Sequence, residues 1–382
     1  MIKYIKLCFL AIYQALFYCL DSIIKSDKKL ISFYVTDKTF GDNIAFFLDF
    51  VKNKDDIQTV LIFQDKKVFS KIKDKENTTY AWSIKGFWYF FKSTCVVIQN
   101  GDAKLFFFPL LLNPKTKFVL NLWHGIPLKK LNRQVKEYQK RRFSFQYQSL
   151  SALVVCSEFE RLLMASCFYM DLDKIWVTGT PRNDKLLSLQ TPNSVAHLKN
   201  KNIVLYAPTW REYGNSTSFF PFDNFDETRL VSKLKSNDQY LLLRGHRLEI
   251  GLVLQEYSTL IKSTDRIIIA DQNSFPDVND LLKVTDILIT DYSSIYLDFL
   301  LRDKPINFIP YDIDKYTDYR GFLIDYNSNT PGPKISTFDE FLDHLDHSSL
   351  DNNHISLKNR FHRFTDTKAQ DRIFGKLITQ LK

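Results

Sequence analysis

The chain has 382 residues, enough for two domains of about 150 residues each with ends and linkers to spare. Apolar residues make up 45%, enough to fill two ordinary cores, while charged residues at 25% match a soluble globular average and 11 glycines exclude a Gly-rich or collagen-like repeat. The net charge of +9 favours anionic partners such as phosphates, nucleotides or lipid headgroups; no RNA-binding aromatic signature or zinc-finger spacing accompanies it, so no nucleic acid is expected.

From the N-terminus, residues Leu7 to Leu20 are nearly all apolar and follow Lys3 and Lys6, yet no small-residue cleavage site comes after them. The run is shorter than the roughly 20 residues needed to span a bilayer. Flanked by Lys25, Lys28 and Lys29, residues 1–28 read either as an interfacial helix or as a helix packed on the body. Leu30–Val35 then reads as a buried strand, Asp42–Val51 as a helix, and Thr59–Phe63, Cys95–Ile98, Lys117–Leu120 and Ala152–Val155 as further strands. A polar stretch from Ser188 to Lys201 precedes a second set: Ile203–Tyr206, Tyr240–Leu243, Arg266–Ile269, Asp286–Ile289 and Ile306–Ile309. Alternating β and α with continuous apolar strands predicts an α/β protein of two doubly wound Rossmann-like domains, residues 29–187 and 188–350, facing across a cleft. The last stretch, Ser356 to Lys382, reads as a helix, and residues 351–382 are expected to run back over the first domain. The cysteines, Cys8, Cys19, Cys95, Cys156 and Cys167, are scattered with no C-x-x-C. This fits a reducing compartment without a disulfide framework or structural zinc.

Five short motifs fall at strand ends. Trp123-His124-Gly125 follows a strand, where an imidazole can take a proton from an attacking hydroxyl near neutral pH. Ala207-Pro208-Thr209-Trp210-Arg211 offers a guanidinium for a phosphate and an indole for a pocket wall, although alone it reads equally as a turn with a surface Arg. Leu243-Arg244-Gly245-His246 places a second imidazole at a strand end. Thr290-Asp291-Tyr292-Ser293-Ser294 ends a strand and opens a helix, where hydroxyls and amides form an anion site. Tyr319-Arg320-Gly321-Phe322 follows the last strand and precedes Pro331-Gly332-Pro333. A basic run, Lys129, Lys130 and Arg133 continuing to Lys140-Arg141-Arg142, suits an anionic acceptor or a membrane surface; a solvated helical face is the commoner explanation.

Taken in order, these motifs, with Gly179-Thr180-Pro181-Arg182-Asn183-Asp184, resemble the CDP-glycerol glycerophosphotransferase family of teichoic-acid and capsule phosphopolymer synthesis, over roughly residues 30 to 340. One departure stands out: Arg247 follows His246 where the family usually has Pro. The resemblance implies a GT-B architecture, with an acceptor domain at 29–187 and a CDP-donor domain at 188–350. It also implies peripheral attachment to the inner face of the cell membrane, where a lipid-linked or nascent phosphopolymer is the acceptor. CDP-glycerol or a related CDP-polyol is the expected donor. His124 would be the base and His246 would stabilise the leaving group, both as catalytic residues. Thr209, Trp210, Arg211, Asp291, Ser293, Ser294 and Arg320 would form the donor and phosphate site. No metal cluster is evident, and a Mg²⁺ ion carried on the diphosphate is compatible with the motifs. Two rivals remain: a GT-B glycosyltransferase using a nucleotide sugar, and a non-catalytic membrane-associated capsule subunit. The second leaves two strand-end histidines without a purpose.

Overall fold

A computed structural model describes residues 15, 19–36, 40–72, 77–100, 117–131, 134–135, 150–211, 217–245 and 250–381. The chain divides into two compact units: Met1–His124 with Lys136–Asp184 and Asp366–Lys382, and Gly125–Val135 with Lys185–Thr365. In the first unit lie strands β1 (Asp27–Val35), β2 (Gln58–Phe63), β3 (Thr78–Tyr80), β4 (Ser93–Ile98), β5 (Phe118–Asn121), β6 (Ala152–Val155) and β7 (Ile175–Val177). They form one seven-stranded sheet in the order β3-β2-β1-β4-β5-β6-β7, every pairing parallel. Helices α1 (Asp42–Val51), α2 (Lys66–Ile72), α3 (Ile84–Lys92), α4 (Glu158–Phe168) and α5 (Pro181–Leu187) lie between or after these strands. β3 and β7 were not anticipated: each is a three-residue edge strand, Thr-Thr-Tyr and Ile-Trp-Val, too short to show a period.

The second unit contains β8 (Asn202–Tyr206), β9 (Gln239–Leu243), β10 (Ile267–Ile269), β11 (Ile287–Thr290) and β12 (Ile306–Phe308), a five-stranded parallel sheet in the order β10-β9-β8-β11-β12. Its helices include α6 (Glu227–Ser236), α7 (Ile250–Glu256), α8 (Ser258–Ser263), α9 (Val278–Val284), α10 (Ile295–Phe299), α11 (Ile313–Tyr319), α12 (Tyr326–Asn329), α13 (Phe338–Asp346) and α14 (His354–Phe361). Much of the chain's phenylalanine is used here. Phe219, Phe220, Phe222, Phe338 and Phe341 pack with Tyr206 and Tyr257 over one face of the sheet. Pro331-Gly332-Pro333 laces a further segment onto β12, with Phe308 N donating to Pro333 O at 2.9 Å and Ile335 N to Phe308 O at 2.8 Å. Gly332 has φ +133°, and a Cβ there would lie 1.9 Å from the Ile306 carbonyl oxygen, so only glycine fits.

Three boundaries differ from the expected ones. Residues 125–135 group with the second unit because Lys130 N donates to Gly321 O at 3.1 Å and Leu323 N to Leu128 O at 2.9 Å. The C-terminal stretch is two helices, α14 and α15 (Ala369–Leu381), rather than one. α14 stays in the second unit, where the ring nitrogens of His354 and His362 meet the carbonyl oxygens of Leu300 and Leu297 at 3.1 and 2.7 Å. α15 belongs to the first unit, with Ile373 and Leu377 fully buried in a core shared with α1. Its first amides donate to the carboxylate of Asp184, Ala369 N to Oδ1 and Gln370 N to Oδ2, both at 2.8 Å. The last residue of the Gly-Thr-Pro-Arg-Asn-Asp motif is therefore a helix cap supplied from 185 residues away.

Candidate active site

In an open parallel sheet, ligands bind outside the carboxyl ends of the strands where the strand order reverses. In the first sheet that point lies between β1 and β4. Three loops meet there: Gly41-Asp42-Asn43 after β1, Gln99 after β4 and Leu122-Trp123-His124 after β5. Trp123 holds φ +54°, a left-handed conformation of the order of 1–2 kcal/mol uphill for a bulky residue. Side chains both near and distant in sequence keep it so. Asn121 Oδ1 accepts from Trp123 N at 2.8 Å, and Asn43 Nδ2 donates to Trp123 O at 2.9 Å. Arg182 Nη1 donates to His124 O at 2.8 Å, while Asn43 Oδ1 accepts from Arg182 N at 2.9 Å. The Arg182 guanidinium also lies 3.5 Å from the Asp42 carboxylate.

The result is an exposed imidazole on a rigid buried base. The His124 ring stacks on Trp123 with centroids 4.3 Å apart, and Trp123 meets Phe168 edge-on at 5.2 Å. His124 Nδ1 lies 3.4 Å from the Gln99 carbonyl oxygen, which is an acceptor only. The tautomer that satisfies this contact carries its proton on Nδ1 and leaves Nε2 with a free lone pair. Burial among surrounding protein pushes the His124 pKa down; the Gln99 carbonyl opposes this, the Arg182 charge adds to it and Asp42 opposes it. Although part of its surface is open to solvent, the ring is thus held in the neutral state a base requires.

The switch point of the second sheet lies between β8 and β11. Asp291, at the end of β11, accepts from Thr209 N at 2.8 Å and from Tyr292 N at 2.5 Å, and pairs with Arg211 Nη1 at 2.7 Å. Arg211 also grips Asp312 through Nε and Nη2, each at 2.8 Å, and donates to Thr209 O at 2.6 Å. Its guanidinium lies 4.9 Å from the Tyr292 ring centre and 5.0 Å from that of Tyr311. Burial alone would lower the Arg211 pKa, but Asp291 and Asp312 more than offset it and the net direction is up. The Tyr292 hydroxyl donates to Asp312 Oδ1 at 2.9 Å, and Tyr292 stacks on Tyr316 at 4.2 Å. Arg211 therefore sits 2% exposed with its donors committed to protein acceptors, holding the strand ends together where an open clamp was expected.

The groups not locked into this network are different ones. Thr209 Oγ1 is buried and has no hydrogen-bond partner among the described residues. Ser293 and Ser294 are half-buried. Ser293 Oγ makes one long contact, 3.5 Å, with Ile295 N, and Ser294 makes no side-chain cap bond. The helix they open, α10, has five residues, so its dipole is small and the hydroxyls themselves matter more than the helix end. Trp210 is half-buried. Arg320 ends α11 beside Gly321, and Lys129 and Lys130 are half-buried along the same segment, Lys129 Nζ standing 5.6 Å from the Tyr316 ring centre. The structure thus groups Lys129, Lys130, Arg320, Arg211, Thr209, Asp291, Ser293 and Ser294 in the second unit and His124 in the first. His246 and Arg133 lie outside the described residues. Next to His246, Arg244 is turned inward, with Nη1 donating to Ala270 O and Phe275 O at 3.0 and 2.9 Å.

Several residues that build these sites escaped the sequence reading. Asn43 and Asp42 carry a signal only in hindsight, a Gly-Asp-Asn turn after the first strand. Asp312 follows the last strand, the same position that singled out Asp291. Arg182 was visible as part of a motif, but not as the donor to the His124 carbonyl. Among the described residues no group of three or more His, Cys, Asp and Glu side chains is arranged to hold a metal ion.

Against known proteins, residues 16–379 match the family described as CDP-glycerol:poly(glycerophosphate) glycerophosphotransferase. The chain is 30% identical over 331 residues to the teichoic acid glycerol-phosphate transferase of Staphylococcus aureus, covering 81% of this chain and 80% of that protein. It is 29% identical over 322 residues to the teichoic acid poly(ribitol-phosphate) polymerase of Bacillus spizizenii, where it spans 81% of this chain but only 50% of the relative. A solved structure of the wall teichoic acid polymerase TagF superposes with a TM-score of 0.76 at 24% identity, over 99% of this chain and 95% of that one, a likeness of fold that agrees with a GT-B-like pair of Rossmann-like domains.

Proposed function

The chain belongs to the CDP-glycerol:poly(glycerophosphate) glycerophosphotransferase family and is an enzyme of that kind; on that premise we propose how its own residues perform the transfer, and to what. A glycerol-phosphate or related polyol-phosphate passes from a CDP-activated donor to a hydroxyl of a teichoic-acid-like or capsular polymer. The acceptor oxygen attacks the β-phosphorus, a new P–O bond forms, the bond to the α-phosphate oxygen breaks with its electron pair, and CMP leaves. His124 Nε2 takes the hydroxyl proton. Thr209 Oγ1, Ser293 and Ser294 contact the diphosphate, with Trp210 beside them, His246 stabilises the leaving charge, and Arg320 adds positive potential. Arg211 and Asp291 act one step back, holding Thr209 and the β11 end in place. Positioning and electrostatics supply most of the rate, as in other phosphoryl transfers.

The observation that carries this reading is the state of His124: exposed, propped from beneath by Asn43 and Arg182, and pushed toward neutrality. The acceptor is proposed to be lipid-linked or nascent polymer, with Lys129, Lys130 and Arg133 along its path. The enzyme would then work on the inner face of the cell membrane, held there by residues 1–28. The test offers the purified protein CDP-glycerol, CDP-ribitol and UDP-sugars with a short phosphopolymer primer and reads products by mass spectrometry. The expected result is a primer heavier by polyol-phosphate units with stoichiometric CMP. Transfer of a sugar from a UDP donor, or no CMP release with any donor, would overturn the reading.

A further inference from the structure

Helix α15 is clamped to two elements that hold the His124 loop. Its first turn lies against the Thr178–Asp184 stretch. Besides the two amides that Asp184 caps, Arg372 Nε donates to Thr178 O at 2.8 Å, while Arg372 Nη1 and Nη2 grip the Asp366 carboxylate, each at 2.9 Å. Gly179 holds φ +76°, and a Cβ there would lie 3.2 Å from the Ala369 Cβ. Arg182, in the same stretch, donates from its amide to Asn43 and from its guanidinium to the His124 carbonyl. Asn43 stands on α1, and α15 packs there too. Phe374 meets Phe50 edge-on at 6.0 Å, and Ile373 and Leu377 are buried in one core with Phe47 and Val51. Arg182 on α5 and Asn43 on α1 thus share a single support.

Closing a core needs only the apolar stripe of such a helix, and apolar contacts tolerate sliding. A carboxylate 4% exposed, spread across two consecutive amides, does not. It fixes the helix along its axis, because a small shift would leave buried polar groups unpaired. The His124 loop has need of that precision. Trp123 is held in a left-handed conformation, and slack in either grip lets its backbone relax and carries the stacked imidazole with it.

We propose that α15 is a positioning element of the His124 site, with Asp184 and Arg372 acting on the imidazole through Arg182 and Asn43. Its effect on rate rests on the reading of His124 as the base. The placement itself is tested without any substrate, so the two can fail separately.

The experiment is an NMR titration of the full chain labelled with ring-¹³C histidine, the His124 signal being assigned by its loss in His124→Ala. CMP release is measured on the same proteins. Asp184→Asn leaves one acceptor for two amides and sets an NH₂ against the other. Arg372→Met keeps the cap and drops only the bonds of the guanidinium. In both, the His124 titration should move up toward the ordinary histidine value as the Arg182 charge draws back, Asp42 being the neighbour that opposes it. Turnover should fall about tenfold with donor KM nearly unchanged, and the acid limb of the rate profile should move to higher pH. Arg372→Lys, which keeps a donor for Thr178 O, should recover most of the turnover. Ile62→Val trims a fully buried side chain of β2; it should lower the melting temperature and leave the His124 titration in place. A titration unmoved in Asp184→Asn and Arg372→Met, or moved equally by Ile62→Val, would overturn the proposal whatever the rates do. A moved titration with parental turnover would leave the brace standing and overturn His124 as the base.

Discussion

His124 stands open to solvent at the switch point of the first sheet, while Arg211, Asp291 and Asp312 at that of the second are largely buried and locked to one another. Both sheets arrange their strands alike and present residues at the same topological place. The difference lies in what surrounds the polar groups. At the first, backbone carbonyls are gripped by Asn43 and Arg182, and the imidazole is left free to exchange a proton. At the second, charges are used to build the floor, and a neutral hydroxyl, Thr209 Oγ1, has no hydrogen-bond partner among the described residues. A strand-end location therefore marks a site without saying which of its residues touch substrate and which hold the others.

The contrast can be broken at several points. The largest expected effect is on turnover: His124→Ala should lose about 10²- to 10⁴-fold in CMP release while calorimetry shows donor binding and melting temperature nearly unchanged. Full activity would remove His124 from the chemistry. Arg211→Met should act on the fold instead, because it takes the guanidinium away from the buried Asp291 and the partly buried Asp312 carboxylates. A loss of about 3–5 kcal/mol in urea unfolding is expected, and parental stability would contradict the locked network. Thr209→Val keeps shape and removes only the orphan hydroxyl. It should leave stability equal or slightly higher and weaken CDP-donor affinity about tenfold, the size of one lost hydrogen bond to a charged group; unaltered affinity would free Thr209 from the donor.

The smallest effect sharpens the comparison by sign. The base must be neutral, so activity is present above the His124 pKa and falls as pH drops through it. Arg182 holds that pKa down and Asp42 holds it up. Arg182→Gln should move the acid limb of the rate profile to higher pH, Asp42→Asn to lower pH, and Arg182→Lys should restore most of the parental profile. Limbs that move together, or not at all, would show that the two residues act only through the backbone.

Much of this was legible beforehand. Strands such as Ile203–Tyr206 and Asp286–Ile289 announced themselves as continuous apolar runs, because a strand covered on both faces must be apolar throughout. Motifs placed at their ends pointed to the right loops. The short edge strands β3 and β7 left no period to read, and the break between α14 and α15 hid inside a single polar helix-like stretch. At Gly-Thr-Pro-Arg-Asn-Asp the letters were noticed without their uses: Arg182 supports the His124 carbonyl, and Asp184 caps α15.

By itself, then, the order of amino acids determined the class of fold, the loops that matter and the family, since all three rest on patterns within a few residues of one another. Tertiary structure alone decided which polar groups are spent on one another. Arg211 meets Asp291 and Asp312 from 80 and 101 positions away, and Leu128 and Lys130 leave the unit of the strand that precedes them to bond Leu323 and Gly321. Hydrogen bonds and ion pairs are satisfied by proximity in space. A donor's true partner, and with it the distinction between a ligand-binding charge and a structural one, appears only when the chain has closed on itself.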